Sequence, residues 1–467
     1  MNMKTIILFA LLIVSGGVWA QPPKMKYLRD RAENNMRYLS NDIVIRNQVH
    51  IDAKGINVNN REGRTDYRLH WTEASEVVRW MENTDYYELI KFFDQKKTQH
   101  LMNVVTPTEF NYYKEYPTEW KGLRIVLDPG HFGGEKEKKL ERREVKIKGS
   151  SVGRQQDLEF DEADLNYYTA MLIRNKLIAR GVDEYDISIT RSFDKSALGV
   201  DYETWLNTRI EADLRNAITK GDLKAEEYEE YRDRITRARA DKNDPSHAPL
   251  FSFYRFLDFR ERVHTINMNF PHVTYVIHYN ASDDGSPDRT TGYVPVTDAN
   301  YSMAFVPGGF LRDELVRTDH KIDFMRLLIS PDLDNSMRLA AYFLDELKAI
   351  TGVEPIPNDI VGDKIKNKMI QTDHTGVYAR NLPLTRMVRG AVVYGESMYM
   401  NNTQEAIEFV RKDIQLKDWS GKEMWAPRRC DQVAEAYVKS IERYIEANKA
   451  IKANLFGNAA TASIGTN

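Results

Sequence analysis

The sequence predicts an α/β fold, a mixed twisted sheet with helices on both faces, with large helical insertions and an N-terminal extra region. Two observations predict it. Short apolar runs rich in β-branched residues, near Leu123–Leu127, Ile187–Thr190, Val273–Ile277, Gly292–Val296 and Ala391–Tyr394, read as buried strands. Between them lie stretches whose apolar residues recur at helical spacing. Three of the strands run into an ionisable residue, His131, His278 or Glu396, at the sheet edge where open α/β folds carry their chemistry.

Taken in order, residues 1–20 read as a signal peptide: Lys4, an apolar run from Thr5 to Val14, and a small residue, Ala20, at the expected cleavage point. That run is short for a transmembrane helix, and no other segment approaches the length required, so no integral membrane segment is expected. The mature chain is expected to be exported, periplasmic or extracellular. Cys430 is the only cysteine, which excludes an intrachain disulfide; it reads as a packing residue at the start of the last helix. No cysteine lies near the cleavage point, which argues against a lipid anchor.

Residues 21–116 form the extra region. Ile51 to Trp71 is strand-like, and Val77, Val78, Met81, Leu89, Ile90 and Phe93 suggest helices between Glu73 and Asp94. Two readings stand, a small localisation module or a structural extension packed on the main domain. The main domain, residues 117–450, opens with the strand before Asp128-Pro129-Gly130-His131, whose Asp-Pro-Gly turn ends it abruptly. Glu162 falls in the first turn of a helix expected to be amphipathic from Leu165, Tyr168 and Leu172. Its plainer reading is compensation of the helix dipole.

A highly charged insertion, about 199–255, carries one helical stripe of Trp205, Ile210 and Leu214 and another of Tyr228, Tyr231 and Ile235. Asp201 and Asp222 precede the stripes as candidate caps. A second insertion is read at 300–331. Val433, Tyr437, Ile441, Tyr444 and Ile445 give the apolar face of a closing helix, and 451–467 reads as a disordered tail.

Lys and Arg total 66 against 69 Asp and Glu, so the chain lacks the basic footprint of a nucleic-acid binder. Two histidines and one carboxylate match the ligand set of a catalytic zinc with one position left for water, and one further glutamate suits a general base. These residues are too far apart in sequence for a zinc finger or an HExxH helix, so the fold must assemble them.

The order of these motifs resembles the zinc-dependent N-acetylmuramoyl-L-alanine amidases, the type 3 cell-wall amidases. The matching elements are strand-DPGH, Glu162 with Asn166 four residues later, the IHxNA run at Ile277–Ala281, and Glu396 with Asn402 six residues later. Lesser matches are Thr190-Arg191, the series Phe259, Arg262 and Asn267, and Ser336, Leu339 and Ala340. The resemblance implies that His131, Glu162 and His278 bind one zinc ion per chain and that Glu396 is catalytic. It implies a hydrolase acting on a linear amide, with peptidoglycan as partner and the bond between N-acetylmuramic acid and L-alanine as target.

Asn280, Arg380 and Arg386 are the candidate substrate-binding residues, the arginines for stem-peptide carboxylates, although surface solubility explains the arginines as well. Rival readings are a zinc peptidase acting on another stem-peptide amide and a non-catalytic wall-binding protein.

The chain departs from the family pattern at two places. After His131 it reads Phe132-Gly133-Gly134-Glu135-Lys136-Glu137, where the family continues GHGG-x-D-x-G. Val276 replaces a common serine, and Glu159 and Asp161 rival Glu162 in position. Certain amidases of this family are held off by a helix near the zinc and released by a partner, which leaves room for an activator protein. The segments Asp201–Asp244 and Asn300–Pro331 are the candidate gates, the first as a helical lid and the second, with Phe305, Pro307-Gly308-Gly309 and Phe310, as a mobile aromatic loop. Their plainer reading is surface addition.

Overall fold

The computed structural model of the chain describes residues 23–60, 62–74, 77–78, 81, 88–89, 117–141, 144–282, 286–288, 290–362 and 366–462. The proposed leader, Ile90 and Phe93 lie outside the described residues. Among those described, no helix is long and apolar enough to cross a membrane.

The extra region begins with α1 (Pro23–Leu39) and α2 (Ile43–Gln48), the latter capped by Asp42, whose carboxylate accepts from the Val44 N–H. An antiparallel sheet follows, β1 (Val49–Ile51), β2 (Gly55–Asn59) and β3 (Thr65–His70), where the sequence reads as strand-like. The region is packed against the rest. Asn35 Nδ2 donates to Leu327 O at 2.8 Å, and the Phe310 N–H donates to Leu39 O at 2.7 Å. Leu28, Ile56 and Leu69 join the same buried apolar cluster as the main sheet. This is the geometry of a packed extension.

The main domain continues with β4 (Ile125–Pro129), α3 (Glu135–Glu141), the hairpin β5 (Glu144–Ile147) and β6 (Leu158–Asp161), α4 (Glu162–Ala179) and β7 (Ile187–Ile189). Next come α5 (Tyr202–Thr208), α6 (Ile210–Lys220), α7 (Tyr228–Ala240), α8 (His247–Met268), β8 (Val273–Asn280) and β9 (Tyr301–Val306). The remainder is α9 (Thr318–Ile329), α10 (Asp332–Thr351), β10 (Glu354–Pro355), β11 (Ile370–Gln371), β12 (Val377–Ala379), α11 (Pro383–Arg386), β13 (Ala391–Tyr399), α12 (Thr403–Phe409), the hairpin β14 (Lys412–Lys417) and β15 (Glu423–Pro427), and α13 (Arg428–Ala462).

The main sheet runs β11-β12-β9-β13-β8-β4-β7, with β10 also on β9. β7, β4, β8 and β13 are mutually parallel, whereas β9 is antiparallel to β13, so the sheet is mixed as predicted. Side chains alternate between its faces. Ile125, Leu127, Tyr275, Ile277, Ala391 and Val393 join the cluster that includes α4, α10 and α13. Val126, Val276 and Val392 pack with Val263 and Ile266 of α8 and with Leu384 and Met387. Burial on both sides explains why the strands read as nearly unbroken apolar runs.

Five readings need correction. Gly292–Val296 is not a strand; Pro295 lacks the N–H a ladder position needs. The missing strand is β9, inside the stretch read as the insertion 300–331, and it lies in the middle of the sheet with Phe305 and Phe310 buried. That stretch is therefore core, not a mobile loop. Asp201 caps α5 as expected, but the N-cap position of α7 is Glu227, and Asp222 pairs with Arg260 at 2.9 Å. The helix α4 is buried almost all round over its first three turns, because it lies between the sheet and α13, so its apolar residues form no single stripe. Finally, α13 continues to Ala462, into the stretch read as a tail.

Other expectations hold: Val433, Tyr437, Ile441, Tyr444 and Ile445 are buried, and so is Cys430 at the start of α13, where burial pushes the thiol up to about 12. The 199–255 stretch is helical with its own aromatic core of Trp205, Ile210, Leu214, Ile235, Phe253 and Tyr254.

Candidate metal centre

The site begins with the turn after β4. Two buried arginines gather its carbonyl oxygens. Arg262 donates to Pro129 O at 2.9 Å and to His131 O at 2.7 Å, while Arg191 donates to Pro129 O at 2.9 Å and Gly130 O at 2.9 Å. Asn166, one turn into α4, adds a bond from Nδ2 to Gly130 O at 3.2 Å. The Arg262 charge is balanced by Asp128 at 2.8 Å and Asp258 at 2.6 Å, as a buried cation requires. This clamp holds His131 at φ 63°, a left-handed conformation that costs a side-chain-bearing residue energy and persists where the surroundings enforce it. Thr190 donates to Asp128 from the neighbouring strand. The Thr190-Arg191 and Arg262 matches noted in the sequence thus belong to one support beneath the turn.

Glu162 is the first residue of α4 and lies between two imidazoles. Its Oε2 is 2.8 Å from His131 Nε2, and its Oε1 is 3.0 Å from His278 Nδ1 and accepts the Tyr279 N–H at 3.2 Å. One ligand atom from each of His131, Glu162 and His278 lies within 4.8 Å of the others. The rival carboxylates point elsewhere: Glu159 is exposed, and Asp161 lies 3.6 Å from Lys138 Nζ.

Burial would raise the Glu162 carboxyl, but the His131 charge and hydrogen bonds from both histidines hold it well below the usual carboxylate range. Burial pushes His131 down, and the charges of Glu162 and Glu141 outweigh that, carrying it up to about 9. His278 is lowered, chiefly by burial.

Glu141 was not singled out in the sequence. It sits at the end of α3 in the charged run after the first histidine, where nothing distinguishes it from a solvated helix face. Its Oε1 lies 3.0 Å from His131 Nδ1, and its Oε2 accepts the Phe132 N–H at 3.2 Å. With Nδ1 so engaged, Nε2 is the histidine nitrogen turned towards Glu162. Buried Lys138, 2.8 Å from Asp164, ties α3 to the first turn of α4.

β13 supplies the remaining candidate. Glu396 is the register partner of His278 in β8 and of Met303 in β9, so it shares the sheet face of His278 and is partly exposed. Two residues earlier on that face, Tyr394 stacks on the His278 ring at 4.5 Å between centroids.

The candidate substrate residues divide. Asn280, partly exposed at the end of β8, turns its Oδ1 to the Ala281 N–H at 2.8 Å. Arg380 is partly exposed, its guanidinium 5.0 Å above the Phe305 ring. Arg386 is not available to a substrate: α11 turns it inward, where it is buried and pairs with Asp323 at 3.2 Å. Asn402 is structural too, capping α12 through the N–H groups of Gln404 and Glu405.

No protein-family model matches the chain, and no curated protein matches it in sequence. Solved structures similar to it include the N-acetylmuramyl-L-alanine amidase Ami1 of Mycobacterium abscessus, 15% identical, covering 70% of this chain and 99% of that one at a TM-score of 0.35. The CwlD amidase of Clostridioides difficile, in complex with the GerS lipoprotein, is 13% identical over 70% of this chain and 100% of its own, also at 0.35. The N-acetylmuramoyl-L-alanine amidase AmiC2 of Nostoc punctiforme is 13% identical over 69% and 97%, at 0.33. At TM-scores this low the likeness carries none of the reading that follows, which rests on the chain's own residues.

Proposed function

We propose that this protein is a zinc-dependent peptidoglycan amidase that cleaves the amide between N-acetylmuramic acid and the L-alanine of the stem peptide. The observation that carries the reading is the convergence of His131, Glu162 and His278, with ligand atoms within 4.8 Å, at one edge of the sheet. Two imidazoles and a carboxylate are the donor set of a catalytic zinc. Glu141 on Nδ1 of His131 supplies the outer carboxylate that such histidines commonly have, so the donors fit the metal.

A zinc ion held there would polarise the amide carbonyl and make a water molecule more acidic. The chain's own residues do the rest. Glu396, on the face of His278, accepts a proton from the attacking water as its oxygen bonds to the carbonyl carbon. It then delivers that proton to the nitrogen as the C–N bond breaks, leaving a lactyl carboxylate and a free stem peptide. Asn280, at the same strand end, would release its amide from Met303 to meet the substrate. The leader-like residues 1–20 fit export to the cell wall, and an activator protein would suit a hydrolase of that substrate.

The test is a digest of purified peptidoglycan with and without added zinc, read by mass spectrometry. Zinc-dependent release of intact stem peptides beginning with L-alanine is expected. Peptides trimmed at another amide would replace this reading with the peptidase one, and no release at any zinc concentration would leave a wall-binding protein.

A further inference from the structure

Beside the metal centre, the same sheet face carries aromatic residues that lead away from it. From β8 outwards, His278 is stacked by Tyr394 of β13 at 4.5 Å, and Phe305 of β9 meets Tyr394 edge-on at 5.9 Å. The Arg380 guanidinium lies 5.0 Å above Phe305. Tyr394 and Phe305 are direct register partners, and Tyr378 of β12 pairs with Phe305 on the far side. Tyr394 and Arg380 are both partly exposed.

Arg380 differs from the other arginines around the centre. Arg191 and Arg262 are buried and spend their N–H groups on the turn after β4, and Arg386 is buried against Asp323. Arg380 has no carboxylate within ion-pair distance among the described residues. Its backbone is nevertheless fixed: its N–H donates to Val306 O at 3.0 Å, and its carbonyl accepts from Leu382 N at 2.9 Å and Thr385 Oγ1 at 3.0 Å. An arginine stacked on a ring keeps its N–H edge available, and that edge matches a carboxylate in two-point fashion.

We infer that Arg380 is the carboxylate-binding end of a peptide subsite that starts at the metal centre and runs over Tyr394 to the Arg380 guanidinium, which covers buried Phe305. The inference rests on the amidase reading for the identity of the substrate. The lactyl carboxyl of muramic acid is consumed in the scissile amide, so the substrate's anionic groups lie on its peptide side. Two strand spacings separate His278 from Phe305, roughly 10 Å, which an extended peptide covers in about three residues. A carboxylate two or three residues beyond the scissile bond therefore reaches Arg380, with the intervening segment lying on the partly exposed Tyr394. This orients the substrate, peptide towards β9 and β12, and makes Arg380 a specificity-determining residue.

The experiment uses the full zinc-loaded chain with a soluble muramoyl-tetrapeptide and its counterpart whose peptide carboxylates are amidated. Arg380→Gln should raise KM for the acidic substrate about ten-fold with kcat within about two-fold, and Arg380→Lys should fall between. Wild type and Arg380→Gln should be alike on the amidated substrate. In parallel, calorimetry of the free acidic tetrapeptide should show about ten-fold weaker binding to the variant. Equal KM and equal peptide affinity in wild type and variant would overturn the subsite. Wild-type protein that hydrolyses neither substrate yet binds the acidic peptide through Arg380 would remove the amidase reading and leave the subsite standing. If loss of the long side chain unfolds the protein, Arg380→Met keeps the apolar cover over Phe305 and gives the same comparison.

Discussion

Gly130 packs so closely on His278 that a Cβ at position 130 would overlap the imidazole, with Nε2, Cε1 and Cδ2 all in collision. The turn carrying the first histidine is thus seated directly on the second, and the glycine is required by space.

Gly130→Ala should accordingly separate the two histidines. The variant is expected to fold, because the turn is still clamped by Arg191 and Arg262, but its zinc affinity should fall at least about ten-fold. Metal content after dialysis against a zinc buffer, with His131→Ala as the zinc-free reference, checks this. Wild-type occupancy in Gly130→Ala would mean that His278 can move aside without loss.

The division between ligands and base is tested at Glu396. Glu396→Gln keeps the shape of the side chain but cannot take up a proton, so zinc should stay bound while turnover falls by ~10²–10⁴-fold. Loss of zinc along with turnover would make Glu396 a ligand.

How much of this was legible beforehand follows from what each feature depends on. The strands before His131, His278 and Glu396 are legible because burial on both faces leaves a local apolar signature; the helix opened by Glu162 is legible as a helix, but its burial nearly all round is not. β9 was not, because Tyr301–Val306 is interrupted by Ser302 and followed by Pro307-Gly308-Gly309, which together look like a loop. Its sheet position depends on pairing with β13, whose partner residues lie about 90 positions away. His131, Glu162 and His278, which the fold brings together, stand out in the sequence by their motifs, whereas Glu141 is hidden because a carboxylate in a lysine-rich helix carries no mark of its partner. Arg386 is misread for the same reason: its sequence neighbourhood gives no hint that α11 turns it inward to Asp323.

Glu141 leads to the next prediction. Its carboxylate bridges Nδ1 of His131 and the Phe132 N–H, so it fixes both the ring and the backbone beside it. Glu141→Ala should weaken zinc binding by about 10–100-fold, the usual effect of losing an outer-shell partner. Glu141→Gln keeps a single oxygen and so can accept only one of the two hydrogen bonds, and should fall between. Competition with a fluorescent zinc chelator measures the series, and wild-type affinity in the alanine variant would reduce Glu141 to a surface-helix residue.

The last prediction concerns the helical insertion 199–255, whose part Asp201–Asp244 reads from sequence as a lid or as surface addition. Phe132, next to His131, is buried in that segment's core, 5.4 Å from the Phe251 ring and 5.5 Å from Tyr254. Glu137 of α3 also accepts the Tyr202 N–H at the start of α5, at 2.6 Å. The segment therefore holds the loop that carries the first histidine, and it is joined to the site through packing. Phe132→Ala should cost about 3–5 kcal/mol of stability by leaving an aromatic-sized cavity. It should also weaken zinc binding, because His131 then loses the anchor on its C-terminal side. Replacing 201–244 by a short Gly-Ser linker should act in the same direction and lower hydrolysis of isolated peptidoglycan. Urea unfolding with and without zinc, together with the digest, separates the two ideas. A linker variant that is folded, zinc-loaded and more active than wild type would mean that the segment covers the site as a gate, and that Phe132 is merely its hinge.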